Sequence, residues 1–508
     1  MFGTTRRRFL QTAAAGGALA GLGDLAFLSR LRPVSADETE LDPNIVRLQA
    51  DIEPLVRLLE DTPRERLLEE VAGKIKAGTT YREVLAALLL AGVRNVQPRP
   101  SVGFKFHAVL VVNSAHLASL ASPDEHRWLP IFWALDEFKQ SQAKDVSENN
   151  WTMRPVEESR VPPADKARQA FVAAMDNWDE EAADAAVAAL ARSMQPAELF
   201  EIFCRYGARD FRSIGHKAIY VANSWRTLEY IGWQYAEPVL RSLAYALLNC
   251  EGDKKPSLAD YEADRPGREN AKRATSLRAD WRQGQPDEAA TAELLTTLYG
   301  GTPDDACGQV VEMLNRGVAP QSIWDALYLS AGEMQVRQPG IVGLHCVTST
   351  NALGYAFRAS QSDENKRLLL LQNAAFLPMF LQAMRGRGQV AEVHLTELEP
   401  APLEASGAEA VSEIFATAGS DRMAAARKII GYVREHPDPA EFIEAARLLV
   451  FLKGTNAHDY KFSAAVLEDY LQVSPQFRDR YLASSAFNLR TSADGDNGLV
   501  QRTRDALA

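Results

Sequence analysis

The landmarks Ala91-Gly92, Val96, Pro100, Val102-Gly103, His107, Val109 and Asn113 return in order as Ala331-Gly332, Val336, Pro339, Val342-Gly343, His345, Val347 and Asn351. From glycine to histidine the first copy spans 15 residues (Gly92 to His107) and the second 13 (Gly332 to His345), so small loop indels account for the drift. His216 follows His107 by 109 residues, and His458 follows His345 by 113. The pattern points to one duplicated fold, each half offering two histidines to a site between the halves.

Around these landmarks apolar residues recur at three- and four-residue spacing, and runs of alternating β-branched residues are almost absent, which predicts an all-α chain. Helices are expected over roughly 45–61, 63–76, 80–95, 103–121, 127–143, 164–177, 179–193, 196–206, 215–231 and 235–249. A second series follows at about 286–299, 303–316, 320–334, 344–359, 363–384, 407–418, 421–435, 438–453, 457–472 and 475–489. Thr79 or Thr80 with Glu83, Ser122-Pro123 before an acidic turn, and Thr302-Pro303-Asp304 read as helix starts. The expected organisation is an N-terminal half over 43–250, a connecting segment over 251–284 rich in Lys, Asp, Pro and Gly, a C-terminal half over 285–490, and a flexible Gly/Asp-rich tail over 491–508. A polar stretch over 385–407 reads as a surface excursion or a short hairpin.

The N-terminus, Thr5-Arg6-Arg7-Arg8-Phe9-Leu10 followed by a weakly apolar stretch to Leu28 and then Val34-Ser35-Ala36, reads as a twin-arginine signal peptide over 1–36. Its apolar part carries Asp24 and is too short and glycine-rich to span a bilayer, and no later segment spans one. The expected partner is the twin-arginine export machinery and the expected location periplasmic. That route carries folded proteins, which suits a metal loaded in the cytoplasm. The chain holds 56 basic and 67 acidic residues; cleavage after Ala36 removes five and one, leaving 51 against 66. A surface near −15 argues against nucleic acid as a partner. Cys204, Cys250, Cys307 and Cys346 show no C-x-x-C spacing, which argues against both a zinc ribbon and a disulfide scaffold. Cys346 reads as a small buried hydrophobe.

His107, His216, His345 and His458 all sit in strongly apolar helical surroundings, and burial favours the neutral imidazole that coordinates metals. A lone buried histidine more often donates to a core carbonyl; four at duplicated spacing favour a metal site. Such a set could bind Fe(II), Mn, Zn or Cu, and imidazole alone does not choose among them. His116, His126, His394 and His436 lie outside the repeat and read as solvated or structural. Lys461, three residues after His458, shares its helical face. It is either a snorkelling surface lysine or a desolvated amine that captures carbon dioxide to become a carbamate ligand. Four nitrogens and one such oxygen leave an octahedral position open for dioxygen. Asn113 and Asn351, six residues past their histidines, cannot share the ligand face and are expected to satisfy backbone or neighbouring-helix groups. Tyr220, Trp225, Tyr230 and Trp233 read either as an aromatic-substrate pocket or as core, and Arg226 as a catalytic partner for an anion or phenolate. No G-x-G-x-x-G, P-loop, G-x-S-x-G or H-E-x-x-H motif is present.

At these residues the chain resembles the questin oxidase-like family of Baeyer–Villiger-type and ring-cleaving oxygenases. Leu344-His345-Cys346-Val347-Thr348-Ser349-Thr350-Asn351-Ala352-Leu353 is similar to a family stretch in which a second histidine commonly stands where this chain has Asn351. Ala457-His458-Asp459-Tyr460-Lys461-Phe462 resembles the family's H-x-x-K stretch. The segments around His107 and His216 match more loosely, in the same order. The resemblance implies an all-α fold holding non-haem iron with His107, His216, His345 and His458 and a carbamylated lysine, Lys461 before Lys453. The function expected is an iron-dependent oxygenase acting on an aromatic or quinone-like small molecule. The alternatives are an exported helical binding or scaffold protein with structural histidines, and a Zn-dependent hydrolase.

Overall fold

The Tyr81–Asn95 helix begins where Thr80 Oγ1 accepts from the Glu83 amide and Glu83 Oε2 accepts from the Thr80 amide, a capping box. Thr302 and Asp305 close the same box ahead of Pro303–Asn315. In the computed structural model, which describes residue 42, residues 44–252 and residues 254–508, the protein is all-helical. Among the described residues the only β element is an isolated bridge between Gln285 and Val318. The signal expected over 1–36 lies outside the described residues. No described helix is long and apolar enough to cross a membrane.

Residues 44–508 cluster as one compact unit, with no boundary at the expected 251–284 connection. That segment is itself structured: Arg265–Arg273 is a helix packed against Asp363–Arg385. Its sequence, RPGRENAKR, has no apolar stripe and buries only Pro266 and Asn270, so periodicity misses it. The tail differs from expectation too. Leu499–Leu507 is a helix packed on Arg64–Lys76, with Arg502 donating to Glu69 Oε2 (2.7 Å) and to the Glu65 carbonyl (2.6 Å). Leu499, Val500, Ala506 and Leu507 rest against the core, and this docking holds the end of the chain.

Both landmark segments form a helix, a turn and a second helix that carries the histidine: Tyr81–Asn95 precedes His107–Leu110 and Val112–Leu120, and Pro320–Arg337 precedes Ile341–Ala359. Their glycines serve different neighbours. A side chain at Gly92 meets Val109 at 2.8 Å, on the returning helix, whereas one at Gly332 meets Ser484 at 2.8 Å.

Four helices make the frame of the site. Ile341–Ala359 packs against His216–Ile231 and Ala457–Asp469, and Val112–Leu120 packs against the same two from the other side. Every residue of Ile341–Ala359 from Val342 to Gly354 is buried, so it runs through the interior, between Pro320–Arg337 and Asp363–Arg385.

Candidate metal centre

His216 and His458 stand at the starts of their helices, His345 one turn into Ile341–Ala359, and His107 opens the short His107–Leu110 helix ahead of Val112–Leu120, and the four rings come together. Ring centroids are 4.2 Å apart for His216–His345, 4.5 Å for His107–His458, 5.1 Å for His345–His458 and 5.2 Å for His107–His216. His107 and His345, which lead the two landmark segments, are 6.2 Å apart. Ring nitrogens of His107, His345 and His458 all lie within 4.8 Å of one another.

Three of the four tautomers are fixed from behind. Nδ1 of His107 donates to the Phe104 carbonyl at 2.6 Å, Nδ1 of His216 to Ser213 at 2.5 Å, and Nδ1 of His345 to Ile341 at 2.6 Å. A neutral imidazole with its proton on Nδ1 presents a bare lone pair on Nε2. Nε2 of His107 and Nε2 of His216 face each other at 3.2 Å, and Nε2 of His345 and of His458 are buried with no partner. Converging lone pairs repel unless a cation lies among them. Backbone carbonyls bound to the rear nitrogen are how proteins orient histidine ligands.

Two of those carbonyls come from strained backbone. Phe104 has φ +27°, and Ser213 and Ile214 have φ +53° and +46°, a region L-residues rarely adopt. Gly215 follows at φ +79°, where a side chain would strike Ser349 Oγ. Gly103 lies against the site: a β-carbon there would stand 3.1 Å from His216 Nε2. Asp210 anchors the strained turn from both ends, taking the Arg212 amide on Oδ1 (3.0 Å) and Lys217 Nζ on Oδ2 (2.9 Å).

Lys461 is 2% exposed, and its Nζ has no hydrogen-bond partner. Burial pulls its pKa down to about 7. The imidazoles follow the same logic. Burial first, then the neighbouring Lys461, lowers His458 to about 3; burial holds His107, His216 and His345 well below the usual range. Lys461 acts on all four histidines, which puts its amine at the cluster. The N-termini of His216–Ile231 and Ala457–Asp469, each a partial positive charge, add to the preference for uncharged side chains.

Below the histidines lies a small polar cavity of about 10 Å³, room for about one water. Each of the four helices lines it: Asn113, Asn223 with Arg226, Asn351, and Lys461 with Glu468. Asn113 Nδ2 donates to Asn223 Oδ1 (3.4 Å), and Asn351 Nδ2 to Glu468 Oε2 (2.9 Å) and Asp469 Oδ1 (2.8 Å), so both asparagines serve neighbouring helices as their spacing predicts. Asn113 Oδ1 is left buried without a partner. Arg226 is ion-paired with Glu468 at 3.0 Å and stacks over Tyr355. Burial raises Asp469 to about 8.

The remaining expectations divide. Lys453 is away from the cluster, bound to Asp496 and the Asp494 carbonyl. Tyr220 meets Phe106 edge-on and donates to Ser242; Trp225 packs on Phe200 and Trp233, and Tyr230 on Tyr81 and His116. These are core contacts rather than a pocket wall. Of the four histidines outside the repeat, His116 is buried and paired with Tyr81 OH at 3.0 Å. His394 meets Glu333 and Arg337, His436 bonds the Tyr432 carbonyl, and His126 lies beside Glu125. None joins the cluster. Cys346 is buried against Met334, and all four cysteines are free.

No family model, curated protein or solved structure matches this chain. The site's own geometry therefore carries its reading. Three of the residues fit a metal ion together, His107, His345 and His458 with ring nitrogens within 4.8 Å of one another, and His216 Nε2 stands 3.2 Å from His107 Nε2, against roughly 3–4 Å between nitrogens bound to one ion at about 2.1 Å. The sequence did not single out Phe104, Ser213 or Ile214 as ring-orienting residues. Gly103 was visible only as a landmark.

Proposed function

We propose that the protein is a metal-dependent oxygenase of the non-haem Fe(II) type, exported through the twin-arginine pathway and acting on an aromatic or quinone-like small molecule. The observation that carries this reading is the convergence of four imidazoles, His216 and His345 buried and His107 and His458 half-buried, three of them with Nδ1 bound to a carbonyl and Nε2 turned inward, beside an unpartnered lysine amine. A structural role for the histidines leaves that repulsion and those unpaired atoms uncompensated, at roughly 1–3 kcal/mol each. When bound, a ferrous ion supplies the one-electron chemistry by which dioxygen reacts with a closed-shell ring. His107, His216, His345 and His458 hold it, and the carbonyls of Phe104, Ser213 and Ile341 keep each bonded ring at one tautomer and angle. Lys461 completes the donor set as a neutral amine or, after reaction with carbon dioxide, as a carbamate oxygen donor. Imidazole accepts Mn or Zn as well. A hydrolytic Zn reading lacks a nearby base, because Glu468 and Asp469 lie about two turns past Lys461. The resemblance of the His345 and His458 segments to questin oxidase-like enzymes supports the oxygenase reading.

The test is elemental analysis of protein purified from the cytoplasm, alongside His107→Ala and His345→Ala. About one iron per wild-type chain and loss in both variants is the expected result. Wild-type protein without stoichiometric metal would refute the proposal, and metal retained in both variants would place it elsewhere. Oxygen uptake by the iron-loaded protein with a quinol then tests the reaction class.

A further inference from the structure

A second cavity, of about 280 Å³, opens among the helices Ala164–Asp176, Pro196–Gly207, Arg265–Arg273 and Asp363–Arg385, and none of the five candidate metal ligands lines it. Its lining is unusual for a chain of net charge −11. Three arginines, Arg205, Arg209 and Arg268, surround an apolar floor that includes Leu368, Leu369 and Ala271. The two carboxylates in the wall are already committed. Asp264 takes both arms of Arg212, and Asp176 accepts from Tyr206 OH at 3.0 Å. Arg205 and Arg268 pair only with Glu364 and Asp260 at the surface, contacts worth little in water.

Arg209 is the residue left without an anion of its own. Its terminal nitrogens donate to the Met175 and Leu247 carbonyls, and its Nε is buried with no partner. The nearest carboxylate, Asp210, is 3.8 Å away and already serves Lys217 and Arg212. The Arg209 guanidinium lies 4.0 Å above the ring of Trp178. That tryptophan ends its helix at φ +55°, with the Trp178 amide on Met175 O and the Asp179 amide on Ala174 O. Glycine usually fills this left-handed position, and a bulky side chain there costs about 1–2 kcal/mol. The chain accepts that strain and thereby sets an aromatic ring under a cation at the cavity wall.

We propose that this cavity is a second small-molecule site, which takes an aromatic carboxylate. The carboxylate binds Arg209, with Arg205 and Arg268 at the rim, and the ring lies on the Leu368–Leu369 floor. The volume is close to the lower end of ordinary ligand pockets, about 300 Å³, and suits a one- or two-ring acid. Asp264 also grips Arg212, which enters the turn whose Ser213 carbonyl orients His216, so the cavity shares a wall with the support of that histidine. The proposal stands independently of the metal, and binding is read directly.

The probe is 2-naphthoate, titrated by calorimetry into the metal-free protein, with uncharged 2-naphthylmethanol as its comparison. One saturable site per chain is expected for the acid, with binding at least about tenfold weaker for the alcohol, the ratio that losing a charge-assisted hydrogen bond produces. Arg209→Met should weaken the acid by a similar factor. Ala271→Trp, at an exposed helix position, should fill the cavity and abolish binding while leaving the circular dichroism unchanged. Absence of saturable binding, equal affinity for acid and alcohol, or unchanged binding in Ala271→Trp would overturn the proposal. If Arg209→Met fails to fold, Ala271→Trp decides.

Discussion

Replacing Lys461 by methionine should stabilise the metal-free protein while weakening its hold on metal, and the opposite signs make this a sharp test of the site. Methionine keeps the length and apolar stem of the side chain and removes only the amine. In the folded protein that amine is buried without a partner and ionises near 7, whereas in the unfolded chain it ionises near 10.5. At pH 7 the unfolded state binds the proton and the folded state holds it only half the time. The difference corresponds to roughly 4–5 kcal/mol against folding, from about 1.4 kcal/mol per pH unit. The penalty is fully present at and below pH 7 and fades as the pH rises towards 10.5, where both states are becoming neutral. Lys461→Met should therefore raise the urea midpoint of the metal-free protein clearly at pH 7 and much less at pH 9.5. The same variant should bind ferrous or zinc ion at least about tenfold more weakly, the loss expected for one donor. Short carboxylic acids should partly restore the affinity if a carbamate oxygen is what the metal needs. A lower midpoint, a stability change indifferent to pH, or unaltered metal affinity would refute the account of Lys461 as a buried ligand.

Three further outcomes follow from neighbouring groups. Gly103→Ala places a β-carbon 3.1 Å from His216 Nε2 and should cut metal affinity about 10–100-fold with little change in the unfolding of the metal-free protein, measured by competition with a chelator. Asp210→Asn strands the fully buried Lys217 and frees the strained turn, so it should lower stability by about 3–5 kcal/mol in denaturant titrations. The metal-free protein should lose stability as the pH falls from about 6.5 towards 3, because the unfolded chain protonates its histidines while burial keeps the folded ones neutral. Each contributes up to about 1.4 kcal/mol per pH unit across that window, and His458→Phe should reduce the slope by one proton's worth.

The sequence by itself determined that the chain is helical and where most helices lie, because three- and four-residue apolar spacing and caps such as Thr80–Glu83 act within a few residues of chain. It also isolated His107, His216, His345 and His458 from the other four histidines by their duplicated spacing, and Lys461 from the other lysines by its place three residues after His458. Arg265–Arg273 escaped it because it has no apolar stripe, and Leu499–Leu507 because its stripe of Leu499, Val500, Ala506 and Leu507 is only nine residues long and follows a Gly/Asp-rich stretch. Only the tertiary structure decided that residues up to 351 positions apart, His107 and His458, meet with centroids 4.5 Å apart. It alone showed the left-handed turns at Phe104 and Ser213 that aim the rings, because such strain persists only where surrounding packing over-determines the backbone. Arg226 fell to Glu468 and Lys453 to Asp496 for the same reason: a charged side chain's partner is chosen by what folding brings within 3 Å, which no spacing along the chain records.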